Sequence, residues 1–157
     1  MTMNKILIPI DGSLFSLQIL RYIKRFLAPT SNELILLSVR EEPQTVTIEQ
    51  PGSEDLTSYG NEAEYAIQGN FADEMLPYRR ELEKVGFTVC THVRFGEPIA
   101  EIEQCIEEEK IDLVAMTTHG RTGLNRMIMG SVAQHILHHA SLPIMLYRTF
   151  GEEGATA

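Results

Sequence analysis

The chain holds no tryptophan, only two cysteines, and 13 lysines and arginines against 22 aspartates and glutamates. Each shortage removes a class of function. Cys90 and Cys105 stand apart with no Cys-x-x-Cys spacing, so no structural zinc signature is encoded. In a reducing compartment both read as small core or half-buried side chains. A formal net charge of −9 argues against nucleic acid as a partner, because such a partner needs a basic footprint to neutralise its phosphates. It leaves room for a small anion, which one local basic loop can hold. No apolar run approaches the roughly 18 residues of a membrane span, so no membrane partner is expected. Met1–Lys5 leads into a short apolar run ending at Pro9-Ile10-Asp11. A secretory signal has a longer apolar stretch and a small-residue cleavage site, so a cytoplasmic location is expected.

Catalytic constellations are equally scarce. There is no nucleophile elbow and no convincing carboxylate pair, and Glu107-Glu108-Glu109 reads as a solvated helix end. His135 and His139 share a helix face at i, i+4, a spacing that can bind metal, but no carboxylate or cysteine is obviously placed to complete a site.

What is present is an alternation of strand and helix signals. Lys5–Ile10 is a nearly continuous apolar run, the pattern of a strand covered on both faces. Residues 13–28 carry Leu14, Leu17, Leu20, Ile23 and Leu27 at helical spacing. Leu34–Val39 is a second apolar strand. Residues 41–61 lose all periodicity and collect Pro, Gly, Ser and Glu, a stretch of about twenty residues that is long for a loop and is expected to be either a functional flap or a mobile loop. Residues 62–85 regain helical spacing at Phe71, Met75, Tyr78, Leu82 and Val85. Pro77 is expected to kink or divide this helix, and Gly86 to cap it.

Phe87–Phe95 reads as the third strand. Gly96-Glu97-Pro98 opens a helix with Ile99, Ile102 and Ile106, and Ile111–Met116 is the fourth strand. A glycine-bearing loop runs from Thr117 to Gly130. Ser131 is then expected to cap a helix striped by Val132, Ile136 and Ala140. Pro143–Tyr147 is the last strand, and residues 150–157 read as a disordered tail. The order implies a single α/β domain over 1–149, with a parallel sheet and helices on both faces.

In such a sheet ligands sit beyond the C-terminal strand ends, where the strand order reverses. Two loops are expected to meet there. They are Asp11-Gly12-Ser13 after strand one and Thr117-Thr118-His119-Gly120-Arg121-Thr122-Gly123 after strand four. The helix opening at Gly130-Ser131 offers unpaired N–H groups suited to phosphate, and Ser131 could cap it or bond a phosphate oxygen. Arg121 and Arg126 flank the loop, and Asp112 is the only acidic residue between Glu109 and Glu152. The bland alternative is a solvated connection whose glycines serve turns. Neither the Walker-A pattern nor G-x-G-x-x-G occurs.

The stretch from Val114 to Ala133, V-A-M-T-T-H-G-R-T-G-L-N-R-M-I-M-G-S-V-A, resembles the signature of the universal stress protein family. So do I-L-I-P-I-D-G-S at Ile6–Ser13, L-I-L-L-S-V at 34–39 and L-P-I-M-L-Y at 142–147. The resemblance implies a Rossmann-like open five-stranded parallel sheet in the order 3-2-1-4-5. It also implies an ATP-binding, stress-responsive regulatory module.

The ATP-binding branch carries G-x2-G-x9-G-[ST], which places Gly120, Gly130 and Ser131 on the motif and puts Thr117 where the first glycine stands. Threonine there either narrows the phosphate path or contributes its hydroxyl. By the same resemblance Asp11 bonds the ribose or adenine side, and Pro9, Ile10 and Val39 line the adenine pocket. Met116 lies near the ribose and base, while His119, Gly120, Arg121, Gly130, Ser131 and Val132 surround the phosphates. Mg²⁺ would arrive bridging the phosphates. The last strand, 142–147, is expected to pair two copies into a homodimer, with an unidentified protein partner reading the nucleotide state. Turnover is not the expectation. A slow ATP hydrolase with Asp11 or Mg²⁺ orienting water, and a dimer with a vestigial pocket, stay open as alternatives.

Overall fold

A computed structural model of the chain describes residues 3–41, 73–119 and 129–148. Five strands form the sheet: β1 (Asn4–Pro9), β2 (Asn32–Arg40), β3 (Thr88–Phe95), β4 (Leu113–Thr117) and β5 (Ile144–Tyr147). Among them run α1 (Leu14–Leu17), α2 (Ile19–Phe26), α3 (73–84), α4 (Pro98–Glu109) and α5 (Ser131–His139). All neighbouring strands pair in parallel, as the alternation of strands and helices predicts, and they stand in the order β3-β2-β1-β4-β5 that the family resemblance implies.

The continuous apolar runs have a simple cause: both faces of the central strands are buried. Ile6, Ile8, Leu34 and Leu36 point to one side, against Ile19 and Ile23 of α2 and Leu82 of α3. Leu7, Ile35, Leu37 and Val114 point to the other, against Ile102 and Cys105 of α4 and Ile136 of α5. With no polar face to solvate, period-two alternation disappears from the sequence.

Several local expectations are corrected. The helix over 13–28 is two helices meeting at Gln18. Ser16 Oγ donates to Ser13 O (3.0 Å), competing with Leu17 N, which reaches that carbonyl only at 3.3 Å. Gln18 N then turns back to Phe15 O (3.2 Å), a tighter i→i−3 turn. Leu14, counted in the apolar stripe, is consequently 74% exposed. Val85, also counted in a stripe, lies past the end of α3 and is exposed. Pro77 does not divide α3; the helix continues through it, and only the Asp73 carbonyl loses its donor.

Gly86 does close α3. Phe87 N bonds Leu82 O (3.2 Å) and Gly86 N bonds Glu83 O (3.0 Å), with Gly86 at φ +101°. At the end of α4 the same left-handed conformation falls on Lys110 (φ +54°), which no sequence signal marked. Of the remaining expectations, the flap apart from residue 41, the first part of the 62–85 helix and the tail lie outside the described residues. Among the described residues no helix is long and apolar enough to cross a membrane.

Candidate functional site

The sheet opens into a crevice between β1 and β4, and a proline accounts for it. The β1–β4 ladder is registered at Ile6↔Leu113 and Leu7↔Val114, two residues short of Pro9. Ile10 N donates to Leu37 O on β2 (2.8 Å). Adjacent strand residues aim their backbone groups at opposite neighbours, so the Pro9 nitrogen faces β4 with no hydrogen to give. Beyond it the chain turns at Asp11-Gly12-Ser13. Asp11 Oδ1 accepts from Ser13 N (2.9 Å), and Gly12 takes φ +79°, a conformation open to glycine.

The opposite wall is the end of β4 and the start of α5. Ser131 does not cap this helix; the N-cap is Gly130, which has no side chain to bond the first-turn amides. Gln134 N to Gly130 O (2.9 Å) is the first intrahelical bond, so the N–H groups of Ser131, Val132 and Ala133 have no acceptor within the helix. No acidic residue occupies the first turn. Gly130 is pressed against β4's extension: its N donates to Thr118 O (2.8 Å), and a Cβ there would lie 3.3 Å from the same oxygen. Thr118 is buried and also donates its own N to Tyr147 O (2.9 Å).

Between these walls lies a cavity of ≈ 270 Å³. Pro9, Ile10, Asp11 and Val39 line it from the β1–β2 side, as do Met116, Thr117 and His119 from β4. Gly130, Ser131 and Val132 complete the set of expected residues that converge on it. Gly120 and Arg121 lie outside the described residues.

Five lining residues were not anticipated, Ser16, Leu37, Pro98, Ile102 and Ala133, and Thr118 was expected there only as part of the loop after β4. Leu37 was within reach, since it shares the strand face of Val39 at period two. Pro98 and Ile102 carry no such signal, because an apolar residue on α4 reads as core whichever strand end it meets. The walls are apolar toward Leu37, Val39, Met116 and Ile102, and polar toward Asp11, the two threonines, His119 and the α5 amides. Among the described lining residues Asp11 is the only acidic one.

The histidine pair is engaged elsewhere. His135 Nε2 lies 2.8 Å from Glu103 Oε1, and His139 Nδ1 donates to His135 O (2.9 Å). Among the described residues no group of three or more His, Cys, Asp or Glu side chains is placed to hold a metal.

Fold and crevice define a doubly wound α/β protein with a cavity at the point where its strand order reverses, the place where ligands sit in sheets of this kind. The chain belongs to the universal stress protein family, whose pattern it matches over residues 2–148. It is 28% identical over 153 residues to universal stress protein MJ0577 of Methanocaldococcus jannaschii, covering 92% of this chain and 94% of that protein. The solved structure of MJ0577 superposes with a TM-score of 0.77 over 97% of this chain and 100% of its own. A family member from Arabidopsis thaliana solved with AMP bound shares the fold at 14% identity (TM-score 0.66, covering 96% and 94%). So does a universal stress protein solved with cAMP, at 16% identity (TM-score 0.58, covering 95% and 100%).

Proposed function

We propose that the cavity holds an adenine nucleotide, ATP being the expected form, and that the protein is a dimeric, nucleotide-responsive regulator of a stress response in the cytoplasm. The observation that carries this reading is the pairing of chemistries within one cleft. Apolar side chains of β1, β2 and β4 form a slot suited to a flat base. The uncapped tip of α5, free of acidic side chains, presents three amides and a helix dipole suited to phosphate. Asp11, at the junction, is suited to accept from ribose hydroxyls. The structures solved with AMP and cAMP on this fold are in keeping with an adenine nucleotide. Gly120 and Arg121 belong to the proposed phosphate site through the sequence motif alone.

The described lining residues offer Asp11 as the single carboxylate, so Mg²⁺ would enter bound to phosphate oxygens and water rather than to a protein cage. When bound, ATP would supply the charge and the cleavable anhydride. The protein's share is to enclose the base, orient the ribose and satisfy phosphate oxygens.

With no tryptophan and five tyrosines, the chain absorbs weakly at 280 nm, so even partial occupancy is visible as a raised 260/280 nm absorbance ratio after gentle purification. Acid extraction and chromatography then identify the nucleotide, and calorimetry with ATP measures the affinity. A low ratio combined with no heat of binding refutes the proposal. For the assembly, β5 ends the sheet as a half-buried apolar strand, which favours pairing of two copies along this edge. Light scattering at micromolar concentration is expected to give twice the chain mass, and a single-chain mass refutes the dimer.

A further inference from the structure

We infer that Thr117 and Thr118 are positioning residues that lock His119 into place at the phosphate end of the cleft, an inference that rests on the nucleotide reading above. Where the family motif has its first glycine, this chain places a buried threonine that ends β4. Its backbone does not use the freedom glycine would bring, since Lys110 is the only described non-glycine residue with positive φ. The hydroxyl is used instead. Thr117 Oγ1 donates to the main-chain oxygen of His119 (2.7 Å). A carbonyl only accepts, so the one hydroxyl proton of Thr117 is committed there.

The next residue takes hold of the ring: Thr118 Oγ1 lies 2.8 Å from His119 Nδ1. Thr118 is in turn anchored on both sides, by its N to Tyr147 O of β5 (2.9 Å) and by its O to Gly130 N at the α5 tip (2.8 Å). His119 is thus gripped at its main chain and at one ring nitrogen by two successive side chains. Those side chains are referenced to the sheet edge and to the helix tip that offers the amides. A loop residue held this way loses little conformational entropy when a ligand arrives, which raises affinity without adding a contact. The departure at Thr117 therefore serves the site by setting where His119 stands.

The test uses the full-length chain and the variants Thr117→Val, Thr117→Ser and Thr118→Val, read by ATP calorimetry and by ¹H–¹⁵N NMR of the His119 imidazole without ligand. Thr117→Val is expected to weaken ATP binding about five- to tenfold, the range for one lost hydrogen bond, while Thr117→Ser stays within about twofold of the parent. Thr118→Val is expected to shift the His119 Nδ1 resonance. ATP affinity equal to the parent in Thr117→Val, or Thr117→Ser as weak as Thr117→Val, overturns the inference, as does an unmoved imidazole in Thr118→Val. A parent chain that binds no ATP overturns the nucleotide reading and the ligand half of this inference, and the imidazole shift then decides the lock by itself.

Discussion

Replacing Gly130 by alanine separates the stability of this fold from the geometry of its cleft. Gly130 sits at φ −61°, ψ 150°, which any residue adopts, so alanine introduces no backbone strain. Its new methyl carbon would sit 3.3 Å from Thr118 O and 3.9 Å from the His119 Cα. The first contact is a few tenths of an ångström tighter than comfortable. The oxygen cannot retreat freely, because the same residue is bonded to Tyr147 O and to Gly130 N.

The stability terms nearly cancel. Alanine is a poorer N-cap than glycine by about 0.5–1 kcal/mol. The lower entropy of the unfolded chain returns about 0.4–1 kcal/mol. Net stability is therefore expected to move by about 0.5 kcal/mol at most in either direction, the spread of ordinary surface changes. The cleft has no such compensation, because relief of the contact comes from moving the α5 tip away from Thr118, and the amides of Ser131 and Val132 move with it. Charge-assisted hydrogen bonds worth about 1.5–3 kcal/mol each weaken together, so ATP affinity is expected to fall by about tenfold or more.

Urea denaturation and ATP calorimetry on Gly130→Ala measure the two halves. Gly86→Ala is the control: at φ +101° alanine is strained there, and Gly86 precedes the N-terminal end of β3 while the cleft lies beyond the C-terminal strand ends, so it should lose stability and keep its affinity. Gly130→Ala binding ATP as the parent does, or unfolding at much lower urea, refutes the reasoning.

Two further outcomes follow from particular contacts. Lys110 terminates α4 in the left-handed region at φ +54°, where a side chain is strained, so Lys110→Gly is expected to gain about 0.5–1 kcal/mol in urea denaturation, and a loss would refute the assignment of strain there. The Lys5–Glu109 pair (2.9 Å) carries a pH signature: the hydrogen bond from Lys5 holds the Glu109 carboxyl below its usual range, and the same bond raises Lys5. The carboxylate's contribution is therefore complete above the ordinary glutamate pKa of about 4.3 and fades as pH falls through the depressed value. That of Lys5 is complete below about 10.4 and fades as pH rises through the raised one. The stability gap between the parent and Lys5→Gln should accordingly be widest in the neutral range and narrow at both extremes, by urea midpoints. Both side chains are part-exposed, so the gap is small, and a gap that does not vary with pH refutes the pairing.

The order of strands and helices, the parallel sheet and the meeting of Asp11 with Gly130 were all legible in the sequence. They follow from local quantities: apolar runs that lack alternation, glycine and proline at turns, and a crossover handedness that leaves few topologies. Even the chain's departure at Thr117 could be read.

What Thr117 does could not be read, nor could the roles of Pro98 and Ile102, the break at Gln18 or the left-handed Lys110. Whether a threonine crowds a ligand path or latches a histidine depends on where His119 O and Tyr147 O lie. Tyr147 stands thirty positions along the chain from Thr117, on another strand. A hydroxyl's partner is decided by distances of a few tenths of an ångström, and those arise only when the sheet has brought β4, β5 and the tip of α5 together.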